Sequence, residues 1–341
     1  MFGYYRAKHT KAWYEDLNSG INYVGSDSLL NEVLTFFDDS LDYCHYDFEG
    51  DSYADAINIV YVGTPKAWAK GLWPHAGHVG QVKDSILLVR YEMTNLASTF
   101  SLGTFVHESG HMIFGWPDLY YFGDYCAMGS GTANSPKAPV SPNDFFRADQ
   151  GWIPLNDVSS TIFSAETTNS SNGYIFKNPS NSDEGYFWSY VKGGWKRWSY
   201  LSGSMGLLVF HYNLAEQGNS SPEHLRLRVI EADGGNELLA SMVPEPGHAY
   251  DLFNEYTQST LINPLWYDNT ESGLRITQIG NPAGTITFTM EGPGSSSSST
   301  TISSSSGTTM ILKNEAMGAS NFDHRSERFD LLGRNNQQRQ D

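Results

Sequence analysis

The sequence predicts an α+β domain followed by an all-β, sandwich-like domain. In about the first 150 of the 341 residues, segments with apolar side chains three or four positions apart alternate with short β-branched runs. After Trp152 the helical spacing fades, and strand-length segments separated by Gly, Asn, Ser and Pro continue to about residue 291. The chain is longer than one compact domain usually is. We therefore place the first domain at 1–154 and the second at 155–291.

The first domain is predicted to combine helices with strands. The predicted helices span 26–41 and 98–114, and the predicted strands 57–63 and 85–93. Ser26 or Asp27 is suited to cap the first of these helices. The second helix should stop at Gly115, because glycine readily adopts the left-handed conformation that ends a helix, and Pro117 follows as a breaker.

The second domain is predicted to consist of strands. They lie within 184–194, 206–214, 225–233, 273–280 and 285–292. The serine-rich stretch 292–309 cannot build a core and is expected to be a linker. Residues 310–341 form a C-terminal tail that resembles a sorting or anchoring region.

The charge balance argues against some classes of partner. The chain has 21 Lys and Arg against 38 Asp and Glu, a formal net charge of −17. Nucleic acids and anionic membranes need a basic face, so neither is expected as a partner. No stretch reaches the roughly 20 apolar residues of a membrane span, and no signal peptide is recognisable at the start of this chain. The composition suggests a secreted or cell-surface protein, which we expect to be a monomer.

The segment FVHESGHMIFGWPDLYYF, residues 105–122, carries the strongest chemical signal. Residues four apart on a helix lie about 40° apart around its axis, so His107 and His111 share one face and can bind one metal ion. Glu108 points to the side of that metal. Zinc with three protein ligands keeps a fourth position open for water, which then ionises near neutral pH. The third ligand must come from elsewhere, and Asp118 is the candidate because Gly115 turns the chain back and Pro117 stiffens it.

This pattern resembles the immune inhibitor A-like secreted zinc metallopeptidases, relatives of the metzincins with an aspartate as third zinc ligand. Weaker similarities cover roughly residues 1–291; they include YDFEGDSYADAINIVYVG, GLWPHAG, YCAMGSG, DQGWIPL and VIEADGGNELL. The resemblance implies a metzincin-like catalytic domain with a mixed sheet and an active-site helix. It also implies hydrolysis of peptide bonds in proteins, with Zn²⁺ held by His107, His111 and Asp118.

The resemblance further implies roles for neighbouring residues. Glu108 would be the general base, and Met128 would form a hydrophobic floor under the metal ligands. A tyrosine that assists the oxyanion could be Tyr120, Tyr121 or Tyr125, and the sequence does not choose among them. The alternative function is a catalytically inactive extracellular binding or adhesion protein that keeps a structural metal. Glu108 favours the peptidase, because a structural zinc has no use for a base.

The sequence departs from the family pattern at one place. Three residues separate His111 from Gly115, whereas the commoner family spacing has two. The extra residue adds about 1.5 Å and 100° if it is helical. Asp118 can then reach the metal only if the helix ends one residue later.

Other segments contain candidate sites with competing interpretations. Asp47, Glu49, Asp51 and Asp55 alternate as in a calcium loop, although they would equally suit an acidic turn without a ligand. The turn around Asp233 is a further possible calcium loop. His75 and His78 could form a second zinc pair or be ordinary surface or cleft histidines. We expect His211 to be a hydrogen-bonded histidine in the β domain, and Cys44 and Cys126 to be either two free thiols or one disulfide.

Overall fold

The computed structural model describes nine stretches of the chain. They are residues 4–17, 23–65, 71–132, 137–159, 163–168, 172–193, 205–219, 221–239 and 250–291. The predicted linker and tail, 292–341, lie outside the described residues. Within these stretches the protein is a mixed α and β structure with several sheets and few helices, as the coarse α+β class predicts.

The helices belong to the first part of the chain. They are α1 (Lys11–Leu17), α2 (Val24–Phe37), α3 (Leu102–Phe114) and α4 (Asp144–Asp149). The predicted cap of α2 is wrong: the helix begins at Val24, and its N-cap residue Tyr23 makes no side-chain capping bond. Ser26 is completely buried inside the first turn, where packing outweighs its preference for a cap.

The N-terminal unit, which ends at Trp116, contains a three-stranded mixed sheet. Its strands are β1 (Asn58–Val62), β2 (His75–Lys83) and β3 (Ile86–Leu96). β3 lies in the centre, parallel to β1 and antiparallel to β2. β1 and β3 correspond to the two predicted strands, and β2 was not predicted because its sequence, HAGHVGQVK, alternates too weakly.

Helix α3 packs against this sheet and has a capping residue at each end. The Ser101 side chain caps its start by accepting a bond of 3.2 Å from the Thr104 amide. Gly115 ends it with φ +64, and its amide donates to the carbonyl of His111. Ser109 in the middle of the helix donates to the buried Glu92 carboxylate on β3 at 2.6 Å, which fixes the helix on the sheet.

The C-terminal unit begins at Pro117 and contains two sheets. The five-stranded sheet has the order β4-β6-β7-β8-β9, and the four-stranded sheet the order β10-β11-β12-β5. Their strands are β4 (Leu155–Asp157), β5 (Phe163–Thr168), β6 (Gly173–Asn178), β7 (Asn181–Lys192), β8 (Met205–Asn213), β9 (Leu227–Ile230), β10 (Leu261–Ile262), β11 (Arg275–Thr277) and β12 (Thr285–Glu291).

The two sheets share one hydrophobic core. Trp188 on β7 and Phe288 on β12, both almost fully buried, belong to it, with ring centroids 6.1 Å apart. Tyr174 on β6 meets the same Phe288 ring edge-on at 5.1 Å. Aromatic side chains bury large apolar areas, so this core is a main source of the unit's stability.

The division of the chain falls after Trp116, earlier than the predicted domain boundary at residue 154. Described residues of the intervening segment pack with the β sheets. Phe122 meets Phe210 of β8 edge-on at 5.2 Å, and Phe145 of α4 meets Phe187 of β7 at 5.6 Å. The sequence did not reveal this packing because 117–154 has no strand periodicity of its own.

Two further expectations concern the membrane and the cysteines. Among the described residues, no helix combines the length and the apolar character needed to span a lipid bilayer. Cys44 is exposed and Cys126 is buried, and the two do not form a disulfide.

Candidate metal centre

Helix α3 brings its two histidine rings together on one face. The Nε2 atoms of His107 and His111 lie 3.2 Å apart, and the ring planes are nearly perpendicular at 86°. Two nitrogens bound to one tetrahedral zinc at 2.0–2.1 Å are separated by about 3.3–3.4 Å. The pair therefore already has the spacing of two zinc ligands.

The turn after the helix fixes the tautomer of His111. Its Nδ1 lies 2.6 Å from the main-chain oxygen of Trp116, which can only accept a hydrogen bond. Nδ1 must therefore carry the proton, and Nε2 keeps its lone pair for a metal ion. Sequence reasoning missed this carbonyl, because any residue type at position 116 would supply it.

The extra residue between His111 and Gly115 remains helical. Helix α3 continues through Phe114, one residue further than the commoner family spacing would require, and Gly115 then reverses the chain. As a result, one ligand atom from each of His107, His111 and Asp118 lies within 4.8 Å of the others. The structure thus brings together the three residues that the sequence suggested.

Backbone contacts hold the segment that carries Asp118. The Asn219 amide donates to the Asp118 carbonyl at 3.2 Å, and the Leu119 amide to the Met128 carbonyl at 2.7 Å. Met128 is completely buried. The glycine after it is required by close packing, since a Cβ on Gly129 would lie 2.5 Å from the carbonyl oxygen of Gly123. The motif YCAMGSG therefore encodes a tight backbone crossing next to Met128.

The donor set fits a zinc ion. Two imidazole nitrogens and one carboxylate oxygen match the ligands of three-coordinate catalytic zinc sites, whereas calcium or magnesium would take oxygen atoms alone. His107 is 9% exposed, and His111 and Asp118 are partly exposed. A metal ion held by these three residues would therefore remain accessible from solvent.

Glu108 lies on the same helix, next to the first histidine, and is 8% exposed. A second carboxylate, Glu92 on β3, is fully buried and accepts the bond from Ser109. Burial first, and then the charge of Glu108, raise the pKa of Glu92 to about 7. Sequence reasoning missed Glu92, although an acidic residue inside the apolar run ILLVRYEM is a usable signal.

The three tyrosines that could assist the oxyanion differ in burial and bonding. The Tyr125 hydroxyl is fully buried and donates to Asp251 at 3.1 Å. The Tyr125 hydroxyl is therefore used in a structural hydrogen bond with Asp251. Tyr120 is partly exposed and Tyr121 is 6% exposed, and these two remain candidates for assisting the oxyanion.

In the described part of the chain, the predicted pair His75 and His78 does not belong to a second group of metal ligands. His75 is fully buried; its Nδ1 donates to the Trp73 carbonyl and its Nε2 accepts from the Tyr91 hydroxyl. Its two ring nitrogens are therefore both engaged. His211 lies 2.8 Å from the Glu184 carboxylate inside the β sheet, as expected of a hydrogen-bonded histidine.

The segment predicted as a calcium loop or an acidic turn forms hydrogen bonds with its own backbone. Both Asp47 carboxylate oxygens accept amide hydrogens, from Asp51 and Ser52. Among the described residues, Asp47, Glu49, Asp51 and Asp55 do not contribute to a group of three converging ligands. The described part of the chain contains one such group besides the histidine site, formed by Glu231, Asp233 and Asp251.

Comparisons with known proteins add no relatives: no family model matches the chain, and no significant match was found among the curated proteins or the solved structures.

Proposed function

We propose that this protein is a zinc-dependent endopeptidase that hydrolyses peptide bonds of proteins. The observation that carries the proposal is the convergence of His107 and His111 on helix α3 with Asp118 after the helix, while Glu108 follows His107 on the same helix. A group of two imidazoles and a carboxylate with an adjacent base is the arrangement that metal-assisted hydrolysis requires. The motif resemblance further suggests an immune inhibitor A-like enzyme.

Each residue has a distinct role in this proposal. A bound zinc ion would polarise the scissile carbonyl and make water acidic enough to attack at neutral pH. Glu108 accepts the proton from the attacking water and delivers it to the leaving amine. The Trp116 carbonyl orients His111 through Nδ1, and Glu92 holds the helix through Ser109.

The proposal also includes a metzincin-like catalytic domain, a sandwich-like accessory domain and an extracellular location. A mixed sheet, a helix that ends at a left-handed glycine and a buried methionine are the features expected of a metzincin-like catalytic domain. The two sheets with a shared core would form the sandwich-like accessory domain. The acidic, lysine-poor composition supports action outside the cell on protein or peptide substrates.

The decisive experiment separates metal binding from proton transfer. Glu108→Ala should retain one zinc ion per chain, because Glu108 is not among the converging ligands. Its cleavage of a denatured protein substrate should fall by about 10²–10⁴-fold, the usual contribution of a general base. Zinc content by elemental analysis and cleavage of labelled casein are the two measurements.

The matched control is Leu102→Ala, an exposed apolar position at the start of the same helix. It should keep both zinc and activity. If Glu108→Ala cleaves as fast as the unaltered protein, the mechanism is wrong. If the unaltered, zinc-loaded protein does not cleave at all, the metal is structural and the binding-protein alternative applies.

The third ligand has its own test. Asp118→Ala removes the only carboxylate of the three converging residues, so zinc should be lost on dialysis against a mild chelator that the unaltered protein resists. We expect an affinity decrease of more than about 100-fold, since even changes to residues behind the ligands cost 10–100-fold. Asp183→Ala, which removes an exposed carboxylate of the C-terminal unit, is the control. Unchanged zinc retention in Asp118→Ala would mean that another residue is the third ligand.

A further inference from the structure

We propose that Glu231, Asp233 and Asp251 form a calcium-binding site within the C-terminal unit. One carboxylate oxygen from each of these residues lies within 4.8 Å of the others. Oxygens bound to one Ca²⁺ at 2.3–2.6 Å can be at most about 4.6–5.2 Å apart. A single ion can therefore contact all three.

A buried oxygen distinguishes this group from an ordinary acidic surface cluster. Glu231 is 7% exposed, and its Oε1 has no hydrogen-bond donor among the described residues. Its Oε2 accepts from the Glu237 amide at 2.9 Å, which fixes the direction of the carboxylate. A buried carboxylate oxygen without a donor is costly, and a cation would satisfy it.

The second buried ligand is held in place from another part of the same unit. Asp251 is 1% exposed and accepts from the Tyr125 hydroxyl at 3.1 Å. Its carbonyl also accepts from the Ala232 amide at 3.0 Å, which ties it to the Glu231–Asp233 turn. Asp233 is exposed and gives the site an entrance from solvent. The two segments are thus joined by a backbone bond before any ion binds.

The electrostatics of the group favour a cation. Neither Glu231 nor Asp233 forms an ion pair with a basic residue in the described part of the chain. Burial, followed by the nearby Glu237 and Asp251 carboxyl groups, raises the pKa of Glu231 to about 7. Three carboxylates without a nitrogen or sulfur donor suit a hard cation, and the flexible coordination of Ca²⁺ tolerates an irregular set of oxygens better than the strict octahedron of Mg²⁺.

The test measures Ca²⁺ binding by the full chain carrying Glu108→Ala, so that self-cleavage plays no part and the result does not depend on the proposed peptidase activity. The protein is stripped with a chelator, reloaded with zinc and titrated with CaCl₂ by calorimetry. We expect binding, and a rise in Tm of about 5–10 °C at a Ca²⁺ concentration of about 100 times Kd, with a smaller effect of MgCl₂.

Four variants in the same background locate the site. Asp233→Asn, at an exposed position that should not disturb folding, and Glu231→Gln should each weaken Ca²⁺ binding by at least about tenfold. Asp268→Asn removes an exposed carboxylate elsewhere in the same unit and should bind like the parent. Asp51→Asn tests the acidic turn near residue 50 and should also bind like the parent.

Three outcomes would overturn the proposal. The first is the absence of both binding heat and a Tm shift, which would mean that Glu231 is a protonated, hydrogen-bonded acid without a metal. The second is Ca²⁺ binding that survives both Glu231→Gln and Asp233→Asn. The third is binding that is lost only in Asp51→Asn, which would assign the ion to the acidic turn.

Discussion

Two histidines show how the same side chain is used for different purposes. In both His75 and His111, Nδ1 donates to a main-chain carbonyl, at 2.7 and 2.6 Å. The difference lies at Nε2. That of His75 accepts from the Tyr91 hydroxyl at 3.0 Å, whereas that of His111 faces His107 at 3.2 Å with Asp118 close by. The partner of Nε2 therefore decides whether an imidazole is structural or available to a metal.

His75 should make the protein sensitive to acid. Burial lowers the pKa of His75 from the usual 6.5 to about 4. Between these two pH values the imidazole is protonated in the unfolded chain but neutral in the folded protein. The stabilisation is complete above pH 6.5 and is lost as the pH falls towards 4. The loss is at most about 3 kcal/mol. His75→Gln, which retains a donor and an acceptor, should unfold with a weaker dependence on pH across this range.

The measurement is urea unfolding at several pH values in the presence of a chelator. Taking the difference between variant and parent cancels the titration of the other histidines. His45→Gln, at an exposed position, should leave the profile unchanged. Parallel profiles for the parent and His75→Gln would contradict the assignment of acid sensitivity to His75.

At the scale of elements, the end of α3 determines where the third ligand lies. Gly115 has φ +64, a conformation that costs other residues about 1–2 kcal/mol, least for Asn. The turn at Gly115 places the Trp116 carbonyl within hydrogen-bond distance of His111 Nδ1, and Asp118 follows two residues later. The glycine that ends the helix therefore also determines where Asp118 lies relative to the two histidines.

Gly115→Ala should consequently weaken both stability and zinc binding. We expect a loss of about 1 kcal/mol in the free energy of unfolding and a reduced zinc affinity, with Gly115→Asn intermediate because Asn tolerates the left-handed region. Gly284→Ala is the control, since a Cβ there meets no atom within 4 Å and its φ is not positive. Denaturant unfolding and competitive zinc titration are the measurements. Full zinc affinity in Gly115→Ala would show that the turn does not position the ligands.

The elements also show what could be predicted from the sequence. The end of α3 was predicted because Gly115 is a chemically specific stop. The helix was predicted to start at Ser98 but starts at Leu102 with Ser101 as its cap, because Ser98, Thr99 and Ser101 are all competent caps and the sequence does not rank them. The predicted start of α2 was wrong for the same reason, because Ser26 and Asp27 are also competent caps and the helix begins before them, at Val24. The two histidines follow from helical spacing alone, whereas the approach of Asp118 depends on a turn whose geometry the sequence only suggested.

At the scale of the whole molecule, residues distant in sequence were the hardest to predict. The Glu231–Asp251 group joins positions 20 residues apart, and the sequence indicated only the turn around Asp233. Likewise, the packing of Phe122 and Phe145 on the β sheets places 117–154 in the C-terminal unit. Periodicity reports which face of an element is buried but not which other element covers it.

The net charge of the molecule leads to a prediction about salt. With a formal charge of −17, mutual repulsion among carboxylates should destabilise the folded protein at neutral pH. Exposed ion pairs such as Lys177–Asp157 and Arg275–Glu291 contribute little stabilisation in return.

Raising NaCl from about 0.05 to about 0.5 M screens this repulsion and should raise Tm by about 2–4 °C at pH 7. Near pH 4.9, the sequence pI, the same addition should have almost no effect, because the net charge is then close to zero. Scanning calorimetry of the chelator-treated protein at both pH values makes the comparison, and a Tm that falls with salt at pH 7 would mean that ion pairs outweigh the net repulsion.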